Sequence, residues 1–187
     1  RPEAMFPSFL DCLNGNPLDI LQLDSEIEEF LEILELASKN LSALWIPLWV
    51  RSDFVRGMGV GEFKRGGINW GLQRLNDNLI ERNSMSGTVH VLDTNRWLRS
   101  SDFSHDPKLW FMGKIPFANS IFREAIFDVE AGRRALEGQT IKLIVLDLDG
   151  TLWGGIVGEL GWSDLALGGH DHIGEAYSEF QKVLKGL

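Results

Sequence analysis

The sequence predicts an α/β protein in which a mostly parallel sheet carries helices on both faces. Short apolar runs alternate with longer segments of helical periodicity, which is the pattern of parallel strands connected by helices. One apolar run, Ile141–Leu146, leads directly into two aspartates, at the strand end where open α/β sheets place their ligands. The 187 residues, 44% of them hydrophobic and 24% charged, suffice for one domain and part of another.

Each predicted strand is a short apolar run, and each predicted helix repeats apolar residues at spacings of three and four. The strands are expected at Leu18–Leu23, Ala43–Val50, Thr88–Leu92 and Ile141–Leu146. The helices are expected at about Glu26–Lys39, Ile68–Arg82, Ala118–Leu136 and Ile173–Leu187. Residues 95–113 are predicted to be partly helical, and the glycine-rich segments Arg51–Gly67 and Gly154–Gly169 to be loops.

Two local signals refine these boundaries. Asp24 and Ser25 are helix-capping residue types, which predicts that the first long helix begins after a strand that ends at Leu23. The strand Ala43–Val50 has bulky apolar residues at both odd and even positions, as expected of a strand covered on both faces. Pro47 cannot donate a hydrogen bond to a neighbouring strand, so it favours a sheet edge or a bulge.

Charge, hydropathy and cysteine content exclude several classes of protein. The formal net charge of −9 argues against nucleic acid as a partner, because phosphate binding needs clustered Lys and Arg. No apolar run is long enough to span a bilayer, so no membrane partner is expected. The only cysteine, Cys12, is predicted to be a buried hydrophobe without a disulfide, and the cytoplasm is the expected compartment.

The segment LDLDGT carries the main candidate site. Asp147 and Asp149 follow an apolar strand, and a sharp turn at Gly150 would be needed to bring both carboxylates to one phosphate. Asp147 is the candidate nucleophile and Asp149 the candidate acid and base. Because two carboxylates repel a phosphate, Mg²⁺ is the predicted cofactor, with both aspartates as ligands. Thr151 could hydrogen-bond the loop or a phosphate oxygen.

The same residues carry a family resemblance. Residues 146–151 match the first motif of the haloacid dehalogenase (HAD) superfamily, although that superfamily often has Asn where this chain has Gly150. The longer stretch IVLDLDGTLWGGIVGELG, residues 144–161, resembles the FkbH-like proteins of HAD subfamily IIIC. The segments WIPLWV, VHVLD and DPKLWFMGKIPFA are similar to the later part of the SGNH-hydrolase-like domain that precedes the phosphatase domain in such proteins.

The resemblance implies a domain organisation and a function. Residues 1–138 would be an SGNH-like α/β domain without its first strand and serine loop, and residues 139–187 the start of a HAD-like, Rossmann-like phosphatase domain. The implied activity is that of a Mg²⁺-dependent phosphatase or phosphotransferase in polyketide or polysaccharide biosynthesis. It would load a glyceryl-type acyl unit from a phosphorylated small-molecule donor onto an acyl carrier protein. The later HAD motifs are not in this sequence, so a fragment or a truncated relative is expected.

Two other functions stay open. Asp102 and His105 have the D-x-x-H spacing of an SGNH-type esterase, although a polar surface loop explains them as well. Alternatively, the chain is a non-catalytic docking module whose SGNH-like part binds a carrier or partner protein, and the uncovered Ile141–Leu146 strand would let it dimerise or bind a partner. His90 is expected to be a structural histidine in a strand, and His170 with His172 a solvated turn rather than a metal site.

Overall fold

The protein divides into two compact units, Arg1–Gly138 (unit 1) and Gln139–Leu187 (unit 2). The computed structural model describes residues 1–52, 54, 59–101, 103–168 and 171–186. The assignment of the two units to an SGNH-like and a HAD-like domain stays a prediction.

Within the described residues, both strands and most of the helices belong to unit 1. Its helices are α1 (Pro7–Leu13), α2 (Ile20–Ser38), α3 (Ile68–Asn83), α4 (Thr94–Arg99), α5 (Pro107–Gly113) and α6 (Asn119–Leu136). Its strands are β1 (Leu44–Pro47) and β2 (Val89–Leu92). Unit 2 contains α7 (Val157–Leu160) and α8 (His172–Lys185). Short 3-10 turns lie at Pro2–Ala4, Gly59–Gly61 and Trp162–Asp164.

β1 and β2 form a parallel pair, with Leu44 opposite Val89 and Pro47 opposite Leu92. This pairing confirms the α/β class with a parallel sheet, although the sheet of the described residues has two strands. The N–H groups of Leu44 and Leu48 donate to carbonyl oxygens on the β2 side at 2.8 and 2.9 Å. Since successive residues alternate in direction, Pro47 faces the opposite edge, where its missing N–H costs no ladder bond. The prediction of an edge position for Pro47 is therefore confirmed.

The predicted strand Leu18–Leu23 is wrong, because Ile20 already begins the 19-residue helix α2. The residue that caps this helix is Asp19 rather than Asp24 or Ser25, and its side chain accepts from the N–H groups of Leu21 and Gln22. Leu18 precedes the cap and Leu23 is the fourth helical residue, the two positions of a hydrophobic staple. Both leucines are buried in the core.

The predicted strand Ile141–Leu146 is also absent. No other segment in the described part of unit 2 pairs with these residues, and a strand exists only through its ladder hydrogen bonds. Ile141, Leu143 and Val145 are 83%, 78% and 84% exposed, so this apolar run is not buried by any described residue.

The other predicted helices are confirmed within a few residues. α3 and α6 cover the expected segments, and residues 95–113 contain the two short helices α4 and α5. α8 occupies the predicted C-terminal segment, but its apolar side chains Ile173 and Val183 are 53% and 60% exposed. Among the described residues, no helix combines the length and apolarity that crossing a bilayer requires.

The core of unit 1 lies among α1, α2 and α3. Leu23, Leu75 and Leu79 are completely buried there, and the rings of Phe6 and Phe30 meet edge to face at 5.5 Å. The predicted burial of Cys12 is confirmed, because its side chain belongs to this core. Burial raises the pKa of the Cys12 thiol, which disfavours the reactive thiolate.

Gly132 in α6 lies where the helix backbone approaches the indole of Trp45, and a Cβ at this position would overlap that ring. The ring cannot easily move away, because it stacks on His90 with centroids 4.6 Å apart. We therefore expect Gly132→Ala to lower the free energy of unfolding by about 1 to 2 kcal/mol, although alanine favours helices.

Chemical denaturation measures this effect, and Gly87→Ala is the matched control because a Cβ there meets nothing within 4 Å. A stabilised Gly132→Ala variant would contradict the close approach of α6 to Trp45.

Candidate functional site

A tight turn follows the first aspartate in unit 2. The N–H groups of Thr151 and Leu152 both donate to the carbonyl oxygen of Leu148, at 3.2 and 2.9 Å. Gly150 adopts φ +68°, a left-handed conformation that glycine reaches without strain and that Asn tolerates better than most residues. The turn predicted at Gly150 is therefore present. It follows an apolar segment without a ladder partner, rather than a paired strand.

Asp147 lies on the exposed side of this turn. Its Oδ1 accepts a hydrogen bond of 2.8 Å from the N–H of Leu148, which restricts rotation of the carboxylate. Among the described residues, no cation forms a salt bridge with Asp147 and no partner occupies Oδ2. One carboxylate oxygen is thus held by the backbone while the other is open to an incoming group.

Asp149 is half-buried and more firmly held than Asp147. Its Oδ1 accepts from the indole Nε1–H of Trp153 at 2.8 Å and from the backbone N–H of Val157 at 3.3 Å. A β-bridge also joins the backbones of Asp149 and Trp153. Within the described residues, no hydrogen bond connects the two carboxylates to each other.

The segment that returns from the turn is fixed by a second bridge. Gly154 and Ala166 exchange two backbone hydrogen bonds of 3.0 and 2.9 Å. Gly154 also packs against the ring of Tyr177, since a Cβ at this position would lie 2.8 Å from Tyr177 Cε2 and 2.9 Å from Ala166 Cβ. Only glycine therefore fits at this crossing point.

Helix α8 contacts the turn through two polar side chains. Gln181 Nε2 donates to the carbonyl oxygen of Leu152 at 2.6 Å, and the Tyr177 hydroxyl lies 3.5 Å from the carbonyl oxygen of Gly150. A cavity of about 470 Å³ opens beside Thr151, and its wall includes His172 and Tyr177. The structure thus brings Thr151 together with α8, next to the two aspartates.

The carboxylate oxygens of Asp147 and Asp149 are donors of the type that hard divalent cations prefer. In the described part of the chain, no group of three or more His, Cys, Asp or Glu side chains could hold a metal. Mg²⁺ often takes only one or two protein carboxylates and completes its shell with phosphate and water oxygens. The donor set of Asp147 and Asp149 is therefore compatible with Mg²⁺ bound together with a phosphate.

The esterase candidates Asp102 and His105 belong to unit 1. Asp102 lies outside the described residues. The Nδ1 of His105 is 2.7 Å from the hydroxyl of its chain neighbour Ser104, and its ring meets Phe54 and Phe117 at centroid distances of 6.0 and 6.1 Å. The aromatic surroundings of His105 favour a packing role.

Unit 1 also has an apolar cavity of about 460 Å³ near the carboxyl ends of β1 and β2. Its described wall contains Trp45, Trp49 and Trp97 but not His105, and its only charged side chain is Arg1, which is paired with Glu3 at 2.8 Å. The described wall of this cavity therefore carries no acid and base pair.

Three further histidines were considered from the sequence, namely His90, His170 and His172. His90 in β2 stacks on Trp45 in the neighbouring strand β1, as expected of a structural histidine. His170 lies outside the described residues, and His172 is the first residue of α8, where Asp171 caps the helix by accepting from the N–H of Gly174 at 2.8 Å.

Sequence reasoning missed three residues that hold the site together, Trp153, Tyr177 and Gln181. Trp153 was recognisable as part of the motif, but its bond to Asp149 depends on the turn geometry. Tyr177 and Gln181 are four residues apart on α8, which places them on one helical face. That spacing was the available signal, but nothing in the sequence identified their partner.

No protein-family model matches the chain, and no curated protein matches it. One solved structure is similar, with a TM-score of 0.77 and 20% sequence identity over 96% of this chain. It is the crystal structure of the N-terminal part of the protein BF1531 from Bacteroides fragilis, which contains a phosphatase domain complexed with Mg. This chain spans 48% of that structure's length. At this identity the likeness establishes the α/β fold alone.

The crossing at Gly154 provides a test of the site's architecture. Gly154→Ala places a methyl group against Tyr177 and Ala166, so the bridge to Ala166 should open. We expect hydrogen exchange of the Ala166 amide to accelerate at least about tenfold, as measured by NMR.

The matched control is Gly158→Ala in α7, where a Cβ meets nothing within 4 Å. Equal exchange rates in the two variants would show that Gly154 is not a crossing point.

Proposed function

We propose that unit 2 contributes the nucleophile loop of a Mg²⁺-dependent phosphatase or phosphotransferase. The observation that carries this proposal is the LDLDGT turn, in which Asp147 and Asp149 each have one oxygen held by hydrogen bonds and one open. The similarity to a structure that contains a Mg-complexed phosphatase domain supports the same class of reaction.

In the proposed reaction, an oxygen of Asp147 attacks phosphorus while the bond from phosphorus to the leaving oxygen breaks. Asp149 donates a proton to that leaving oxygen and then accepts one from the attacking water or acceptor hydroxyl. The aspartyl-phosphate is thereby cleaved and Asp147 is regenerated. Phosphate is the net product when water is the acceptor.

Mg²⁺ would be held by Asp147 and, while Asp149 carries no proton, by Asp149, and would neutralise charge between the carboxylates and the phosphate. The negative charges of Asp147 and Asp149 are not compensated by the protein itself, because no described cationic side chain pairs with either aspartate. The net charge of −9 adds to the need for a cation.

The finer proposal concerns substrates. The resemblance of residues 144–161 to FkbH-like proteins supports a phosphorylated three-carbon acid as donor and an acyl carrier protein as acceptor. The cavity beside Thr151 supports this proposal, because it offers space next to the turn for the organic part of such a donor. The cytoplasm is the proposed compartment, where carrier proteins are loaded.

Hydrolysis of an aryl phosphate by the 187-residue chain tests the phosphatase proposal. We expect phosphate release in Mg²⁺, loss of release with EDTA, and at least about a hundredfold lower kcat for Asp147→Asn, because an amide is a poor nucleophile.

Asp164→Asn is the matched control, since it makes the same substitution at an exposed carboxylate of unit 2. Full activity of Asp147→Asn, or no phosphate release at any Mg²⁺ concentration, would refute the proposal for this chain.

The exposed apolar run Ile141–Leu146 favours a second candidate function, a docking module that pairs with a second copy of this chain. Ile141 and Val145 are more than four-fifths exposed, and unpaired strand-forming segments readily template strand addition. Such a module would need no activity from Asp147.

Sedimentation velocity tests the docking function. We expect a concentration-dependent dimer that Val145→Lys weakens at least about tenfold, because a charge on this run opposes pairing. Lys142→Glu, in the same segment but at a side chain that is already charged, serves as the control. A strictly monomeric chain at all concentrations would exclude the docking function.

A further inference from the structure

We propose that Trp153 is a positioning residue for the carboxylate of Asp149, a role that rests on the proposed phosphatase function and deepens it. The indole N–H of Trp153 fixes Oδ1, and Oδ2 is left as the oxygen that exchanges a proton with the leaving group. Nothing in the bare D-x-D pattern requires a tryptophan four residues after the second aspartate.

The hydrogen bonds of Asp149 distinguish its two oxygens. Oδ1 accepts from both Trp153 and Val157, at 2.8 and 3.3 Å, whereas Oδ2 has no partner among the described residues. An indole N–H can only donate, so Trp153 can serve an acceptor oxygen and cannot take a proton itself. The two donors therefore occupy Oδ1 and leave Oδ2 for chemistry.

The indole is itself held in place, which a positioning role requires. The backbone bridge between Asp149 and Trp153 fixes the Cα of the tryptophan beside the carboxylate. The next residue, Gly154, is fixed by its two hydrogen bonds with Ala166. The ring of Trp153 also lies 6.4 Å from the ring of Trp162, measured between centroids. The indole N–H is therefore already oriented toward the carboxylate before the reaction, as a preorganised donor requires.

The consequence for the reaction is a restriction on carboxylate rotation. A freely rotating carboxylate presents either oxygen to the leaving group, whereas a fixed one holds Oδ2 ready in a single orientation. Removal of the indole N–H should lower the chemical rate and leave substrate binding nearly unchanged, because Trp153 does not line the cavity beside Thr151.

The first measurement follows the indole N–H directly in the ¹⁵N-labelled chain. Trp153→Phe identifies the Trp153 Nε1–H resonance by its loss. We expect that resonance to move upfield and to exchange with solvent at least about tenfold faster in Asp149→Ala, while Asp164→Ala leaves it in place. An unchanged resonance in Asp149→Ala would overturn the proposal, and this outcome does not depend on Trp153→Phe being folded.

The second measurement is the split between kcat and KM with an aryl phosphate and Mg²⁺. We expect Trp153→Phe to lower kcat about ten- to a hundredfold, part of the usual contribution of an acid and base group, with KM within about twofold. Trp70→Phe, the same substitution in unit 1, should retain both constants. Unchanged kcat in Trp153→Phe would refute the positioning role.

The two measurements separate the proposals. If the unmutated chain releases no phosphate, the proposed function fails, and the resonance alone decides whether Trp153 holds Asp149. If phosphate is released and kcat falls together with a rise in KM, Trp153 is a binding residue and the positioning role is wrong.

Discussion

The candidate site depends on the turn in which two N–H groups share the carbonyl oxygen of Leu148. This turn reverses the chain after Asp147 and requires the left-handed conformation of Gly150. Because the chain reverses there, Trp153 comes back beside Asp149 and its indole reaches the carboxylate. A straight strand would have placed the two about 13 Å apart, since each residue of a strand adds about 3.3 Å.

The two units are stabilised by different interactions. Unit 1 has a continuous apolar core, in which α1, α2 and α3 bury large side chains such as Phe9 and Leu75. In the described part of unit 2, Leu165 is the only buried hydrophobic side chain. Backbone bridges and the bonds of α8 to the turn therefore hold unit 2 together, rather than hydrophobic burial. The apolar segment Ile141–Leu146 is the part that burial would be expected to cover, and it is exposed.

Much of the fold could be predicted because periodicity reports which face of an element is buried. The helices α3 and α6 and the parallel partners β1 and β2 lie where the apolar patterns indicated. Leu18–Leu23 was mistaken for a strand because a hydrophobic staple and a helix cap together imitate alternation. Ile141–Leu146 has the composition of a strand, but composition cannot supply the neighbour that a ladder needs.

The sequence by itself determined the residues that are available: two aspartates and a glycine in the order that the proposed phosphate-binding turn requires, with a tryptophan four residues after Asp149. Residue type and spacing are local properties, so the turn at Gly150 follows from them. Only the tertiary structure decided which carboxylate oxygen is held, and that Gly154, Tyr177 and Gln181 support the loop. The contacts of Tyr177 and Gln181 with the loop join residues 27 and 29 positions apart, and packing, rather than local preference, selects such partners.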